Sequence, residues 1–203
     1  MAKTGALDRK AGDQKKSRSV AAATAKFRKV AASSSRAGSG VNKPEKKERM
    51  HKDLEKVKLL ARDLRDGKDF PRSPRTTLGG YVLAARAVDK CRAVLVDWQG
   101  EYHSNCPLDQ RWLKFAEIDY GDFRSIVASG ATDDEIALWI GEHAKKRPRA
   151  EIVAWNNKER DLRLSDLPPE LQEFMENYIQ RYVPRNRIVY HWFDVYDLEE
   201  QRI

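Results

Sequence analysis

The clearest helical signal in the sequence is residues 165–184, SDLPPELQEFMENYIQRYVP. Its apolar side chains recur every three or four residues, the spacing that places them on one face of a helix. Pro169 suits a first helical turn, and Pro184 ends the pattern because proline cannot continue a helix. The apolar face consists of Leu171, Phe174, Met175, Tyr178, Ile179 and Tyr182.

Helical spacing recurs on the N-terminal side of that segment. Thr132 and Glu135 have the spacing of a capping box, in which the two side chains bond to free N–H groups at a helix start. No run of alternating strands with turn signals is present, and residues 188–198 fit either a strand or a short helix. The sequence therefore predicts a mostly α, compact multi-helix domain. Besides residues 165–184, we expect helices over 80–96, 107–117 and 120–128, one from Thr132 to Lys145–Arg147, and one that Pro148 opens.

Positive charge is concentrated in the N-terminal third. Residues 1–60 contain 17 basic and 6 acidic side chains, whereas residues 61–203 contain 22 and 25. Residues 1–42 have too few apolar side chains to offset the entropy lost on ordering. We expect a disordered basic tail over 1–42, and association of residues 1–60 with nucleic acid or another polyanion. A tail that only improves solubility is the alternative, and Asp8 and Asp13 disfavour an organelle-targeting peptide.

A heptad-like stripe follows this tail. It predicts an amphipathic linker helix over residues 43–65, ahead of a helical globular domain over 66–203. The stripe is barely two heptads long, so we favour docking onto the domain over a coiled coil. A structural or assembly protein that dimerises through residues 44–64 stays open as an alternative, and so does the oligomeric state. The stripe consists of Met50, Leu54, Val57, Ala61 and Leu64.

Arginines cluster around a proline-rich loop at residues 70–75, FPRSPR. Guanidinium groups that converge on one pocket would bind a carboxylate or phosphate through paired hydrogen bonds. We expect the loop before Pro107 to fold against this segment and form a binding site for a small anionic ligand or an acidic partner. Pairing of the cations with Asp89, Asp109 and Glu101 is the structural alternative. The expected site consists of Arg72, Arg75, Arg86, Tyr102, His103, Asp109 and Arg111.

A different chemistry is available in the polar loop at residues 101–106. If Pro107 is the first helical residue, Cys106 is the N-cap residue, where free backbone N–H groups would stabilise a thiolate. His103 is close enough in sequence to act as the base for that thiol. An enzyme that uses a Cys106/His103 thiol for nucleophilic or redox chemistry is therefore the alternative to a binding module. A structural thiol is the simplest interpretation, and no catalytic residue is assigned.

Other classes of protein find no support in the sequence. The longest stretch without Asp, Glu, Lys or Arg is ten residues, 76–85, whereas a membrane-spanning helix needs about twenty apolar residues. Two cysteines make neither a disulfide scaffold nor a zinc knuckle, and His191 with Asp194 and Asp197 lacks a fourth metal ligand. Gly79-Gly80 matches no nucleotide-binding motif. We expect a soluble, cytoplasmic domain without metal, cofactor or membrane partner.

Several blocks of sequence carry a family resemblance. They are residues 71–81, PRSPRTTLGGY, 87–92, AVDKCR, 100–109, GEYHSNCPLD, 130–136, GATDDEI, and 192–197, WFDVYD. Over about residues 62–203 the chain resembles the bacterial domain-of-unknown-function family 5069. The resemblance implies a bacterial, cytoplasmic protein. It brings no activity, cofactor or catalytic residue, so the roles above depend on physical arguments alone.

Overall fold

The computed structural model describes residues 43–203, with side chains from residue 51 onward. The expected disordered tail over 1–42 lies outside the described residues. Residues 43–203 form one compact unit, to which the expected linker helix also belongs. A short 3₁₀ turn joins the sixth and seventh helices. The helices are α1 (Lys43–Leu60), α2 (Ala84–Leu95), α3 (Pro107–Ala116), α4 (Tyr120–Ala128), α5 (Asp133–His143), α6 (Arg149–Arg160), α7 (Pro169–Tyr182) and α8 (Trp192–Glu199).

The prediction of a mostly α fold is confirmed. Within residues 43–203 there is no β-strand, and bridge pairing is limited to Leu78 with Tyr81 and Arg163 with His191. The expected capping box is present, since Thr132 and Glu135 exchange side-chain and backbone hydrogen bonds. None of the described helices combines the length and the apolar character needed to cross a bilayer.

Helix α2 lies at the centre of the fold, and its residues 84–93 are all buried. Small residues such as Ala84 and Ala87 allow neighbouring elements to approach it closely. Because every face of the helix is covered, its charged side chains are enclosed as well. Charged groups are rarely buried without partners, so the surrounding loops must supply counter-charges. The enclosed charges are Arg86, Asp89, Lys90 and Arg92.

A single apolar core surrounds α2. Trp112 of α3 and Phe123 of α4 are fully buried and pack edge to face, with ring centroids 5.3 Å apart. Trp155 of α6 stacks on Phe115 of α3 at 4.5 Å. These aromatic contacts fix the position of α3, the helix that begins directly after Cys106.

Helix α1 docks on the domain, against α2 and α4. Val57 is 1% exposed, whereas Leu59 on the opposite side is 87% exposed. The helix ends at Leu60, four residues before Leu64, the last residue of the predicted apolar stripe. Leu64 is buried beyond the helix end, where its N–H donates to the Trp98 carbonyl at 2.9 Å. The last part of the stripe, residues 61–64, therefore packs on the domain in non-helical conformation.

Two details of the sequence prediction change. The predicted end of the fifth helix at Lys145–Arg147 is wrong, because Ala144 turns to extended geometry and Lys145 N–H donates to the Ala116 carbonyl at 2.8 Å. In the ambiguous segment 188–198, helix α8 begins at Trp192. The Trp192 N–H donates to the Leu162 carbonyl, which ends the extended portion at the helix start.

Candidate functional site

The proline-rich loop is held to α2 and α5 by Arg72. The Arg72 guanidinium donates to both Asp89 oxygens, at 2.9 and 2.7 Å, and to Asp133 Oδ2 at 2.5 Å. The Arg72 backbone N–H also donates to Asp89, at 2.8 Å. Arg92 donates to the other Asp133 oxygen at 2.7 Å. Arg72 is therefore compensated by two carboxylates, one of them buried.

The same loop is tied to α8 by Arg75. Its guanidinium donates to Asp194 at 2.5 Å and to Asp197 at 2.7 Å, and lies 5.8 Å from the Phe193 ring centroid. His191 Nδ1 lies 3.4 Å from Asp194 Oδ2. The carboxylates that suggested a metal triad in the sequence therefore bind an arginine. Among the described residues no group of three potential ligands is placed to hold a metal ion.

The proline-rich loop and the loop before Pro107 meet at Arg86. The buried Arg86 guanidinium donates two hydrogen bonds to Glu200, at 2.8 and 2.6 Å, and one to the Arg72 carbonyl at 3.1 Å. The rings of Tyr102 and Tyr196 flank it, with centroids 5.7 and 5.2 Å from the guanidinium carbon. The Tyr102 hydroxyl donates to the same Glu200 carboxylate at 2.9 Å. Arg72, Arg86 and Tyr102 of the expected site are thus brought together.

One turn further along α2, Lys90 contacts the start of α3. Pro107 is the first residue of that helix and Cys106 is its N-cap, as predicted. Lys90 is 3% exposed, and its Nζ lies 2.7 Å from Asp109 Oδ1 and 3.1 Å from Cys106 Sγ. Burial acts to lower the pKa of Lys90, but Asp109 and Cys106 outweigh it and the pKa is raised. Lys90 is therefore an ammonium group enclosed beside a thiol.

Two features of this contact leave hydrogen-bonding capacity unused. Asp109 is 2% exposed, and its second oxygen, Oδ2, has no hydrogen-bond partner among the described residues. The N–H groups of Leu108 and Asp109 at the α3 start also have no partner in the part of the chain that the structure describes. We name Lys90, Cys106 and Asp109 the thiol cluster.

The remaining residues of the expected site lie apart from this cluster or point away from it. Arg111 pairs with the buried Glu159, with one hydrogen bond of 2.8 Å, and lies over the Trp192 ring. His103 is exposed and makes no hydrogen bond with any residue from 43 to 203. The residue beside the Cys106 sulfur is Lys90. In the sequence, Lys90 follows Arg86 by four residues, which predicts a shared helix face but not the contact with Cys106.

The carboxyl group of Glu199, the residue before Glu200 of the Arg86–Glu200 ion pair, has a raised pKa. Glu199 accepts a hydrogen bond from the Tyr178 hydroxyl at 2.6 Å. Burial raises the pKa of Glu199 to about 7, with the charges of Glu200 and Glu101 adding to the increase. The Tyr178 ring is 6.3 Å from the Tyr196 ring, which connects this carboxyl to the side chains around Arg86.

These observations define an all-helical domain whose central helix carries buried ion pairs and one lysine–thiol contact. A family model described as a domain of unknown function, DUF5069, matches residues 68–202, and the chain belongs to this family. The resemblance drawn from the sequence blocks is thereby confirmed. A comparison with curated proteins gave no match.

Proposed function

We propose that this domain is a thiol-dependent enzyme in which Cys106 is the nucleophile. The observation that carries the proposal is the 3.1 Å contact between Lys90 Nζ and Cys106 Sγ. An ammonium group at that distance donates a charge-assisted hydrogen bond to sulfur and places a positive charge beside the atom that would attack an electrophile. Cys106 is intermediate in exposure, whereas the other cysteine, Cys91, is buried.

The three members of the thiol cluster have separate roles. Cys106 attacks the electrophilic atom of the substrate and forms a covalent intermediate. Lys90 supplies the compensating positive charge in place of the histidine expected from the sequence. Asp109 holds the Lys90 ammonium at 2.7 Å and so acts as a positioning residue.

The start of α3 offers a further contribution to this chemistry. The unpartnered N–H groups of Leu108 and Asp109 belong to the first turn after Cys106. Backbone N–H groups at a helix start favour negative charge, so they are suited to an oxyanion that develops on a bound substrate. A carbonyl-type electrophile would use both the sulfur and these donors.

The arginines give less support to the expected site for an anionic ligand or acidic partner. The guanidinium groups of Arg72, Arg75, Arg86 and Arg111 each already face at least one carboxylate. An incoming anion would have to displace Asp or Glu side chains, several of them buried. We therefore centre the function on Cys106, and interpret the arginine pairs as the framework that fixes the two loops around α2.

Alkylation of the full-length chain with iodoacetamide tests the proposal. Mass spectrometry follows carbamidomethylation of Cys106 at pH 7 in the native protein and in Lys90→Met. We expect Lys90→Met to slow the reaction roughly tenfold or more, because a charge-assisted hydrogen bond contributes about 1.5–3 kcal/mol. Lys114→Met, at an exposed position on α3, is the matched control and should leave the rate unchanged.

Loss of folding must be separated from loss of reactivity. Lys90→Met leaves Asp109 without its partner, so the double variant Lys90→Met/Asp109→Asn removes both charges together. Circular dichroism and urea unfolding establish that the compared variants are folded. Equal alkylation rates in the folded variants and the native chain would end the proposal that Lys90 activates Cys106.

A further inference from the structure

We infer that Cys106 and Lys90 form a redox modification site. A hydroperoxide oxidises the Cys106 thiolate to a sulfenic acid, which then condenses with the Lys90 amine to give a sulfenamide bond between α3 and α2. The inference rests on the proposed nucleophilic character of Cys106 and names hydroperoxides as the class of oxidant.

The geometry favours nitrogen over a second sulfur as the group that captures the sulfenic acid. Lys90 Nζ is already 3.1 Å from the Cys106 sulfur, and Asp109 holds the amine in that position. Cys91, the other cysteine, is 1% exposed. Burial raises the pKa of the Cys91 thiol to about 11, so it stays protonated at neutral pH and is a poor nucleophile for disulfide formation.

The oxidation step transfers two electrons from sulfur to the peroxide. The Cys106 thiolate attacks one peroxide oxygen, the O–O bond breaks, and the other oxygen leaves as water or an alcohol after taking up a proton. Cys106 becomes Cys–SOH, a reversible state known to condense with nitrogen nucleophiles.

The condensation step needs a deprotonated amine. The Lys90 ammonium, held 2.7 Å from Asp109 Oδ1, releases one proton to water, and the free amine stays beside the sulfur. The nitrogen lone pair then attacks sulfur, the S–O bond breaks, and the departing hydroxide takes a second proton from nitrogen and leaves as water. A thiol reductant reverses the modification by reducing the S–N bond and restoring Cys106 and Lys90.

The test treats the full-length chain with hydrogen peroxide, followed by alkylation, cleavage with a protease that does not require lysine, and mass spectrometry. We expect a linked pair of peptides containing Lys90 and Cys106, with the mass of their sum less two hydrogens, that dithiothreitol separates. Cys106→Ser should abolish the link. Lys90→Arg keeps a cation near the sulfur without a nucleophilic amine, so it should yield sulfenic acid that dimedone traps, and no link.

The outcomes distinguish this inference from the proposed function. Rapid alkylation of Cys106 with oxidation that stops at unlinked sulfenic or sulfinic acid overturns the inference alone. A linked pair that retains the oxygen, or a Cys91–Cys106 disulfide, also overturns it. Slow alkylation together with no peroxide reaction at Cys106 overturns both.

Discussion

Arg86 on α2 and Glu200, directly after α8, form a buried ion pair joined by two hydrogen bonds of 2.8 and 2.6 Å. The pair connects the centre of the fold to the end of the chain. The Tyr102 hydroxyl and the Arg202 guanidinium donate to the same carboxylate. Burial acts to raise the pKa of Glu200, but Arg86 and Arg202 hold it below its ordinary value. Glu200 therefore stays ionised and holds together Arg86, Tyr102 and Arg202 from three parts of the chain.

Removing the charge of Glu200 should be strongly destabilising. In Glu200→Gln the Arg86 guanidinium stays buried without a counter-charge, which typically costs about 3–5 kcal/mol. Urea unfolding at pH 7 measures the change in the free energy of unfolding. Glu170→Gln, at an exposed position of α7, is the control and should change stability by less than about 0.5 kcal/mol. An unchanged urea midpoint for Glu200→Gln would show that the pair contributes nothing.

The raised pKa of Glu199 should make the free energy of unfolding fall as pH rises. This direction is opposite to the one expected from Glu200, whose pKa is lowered. The folded pKa of Glu199, raised to about 7 by burial, lies above the ordinary value of 4.5. Between these values the folded state keeps a proton that the unfolded state has released, so stability falls as pH rises through this interval. Glu199→Gln removes that penalty. Relative to the native chain, the variant should gain about 3 kcal/mol between pH 4 and pH 8.

Urea unfolding of both proteins at several pH values gives this difference directly. Exposed Glu173 on the neighbouring helix supplies the matched variant, Glu173→Gln, which should show no such pH-dependent gain. A constant difference between Glu199→Gln and the native chain from pH 4 to pH 8 would contradict the assignment.

Two glycines offer a paired test of backbone geometry. Gly100 has φ +54°, and a Cβ there would lie 2.4 Å from the Leu64 carbonyl oxygen. Gly100→Ala should therefore cost at least about 2 kcal/mol, since it adds a backbone clash to left-handed strain. Gly141 in α5 has open space around it, so Gly141→Ala should stabilise the helix by up to about 1 kcal/mol. Thermal unfolding of both variants provides the comparison, and equal melting temperatures would refute it.

Much of the fold could be predicted because its signals are local. Pro107 placed Cys106 at a helix start, and the Thr132–Glu135 pair marked another start correctly. The early end of α5 could not be read in the same way. Lys145 leaves the helix because its N–H reaches the Ala116 carbonyl, a contact set by the packing of two elements.

The candidate site was less accessible to sequence reasoning because ion pairing is a long-range property. The sequence placed Arg72 and Arg86 near one another, yet it held no information on which carboxylate would face each of them. Glu200 is 114 residues from Arg86 and lies outside every motif considered. Proximity in sequence also favoured His103 as the partner of Cys106. Helical periodicity places Lys90 on the same face of α2 as Arg86. The contact with Cys106 depends in addition on where α3 packs against α2, which the sequence does not give.

The basic N-terminal residues give a prediction that is independent of the thiol cluster. Deleting residues 1–42 removes ten basic and two acidic side chains. Affinity for double-stranded DNA should fall, and the slope of log affinity against log salt should become shallower, since fewer counterions are released. Fluorescence anisotropy over a salt series measures both quantities. A full-length variant with those ten basic residues replaced by glutamine separates charge from length and should behave like the deletion. Identical affinities and salt slopes for the native chain and both variants would rule out nucleic-acid association through this segment.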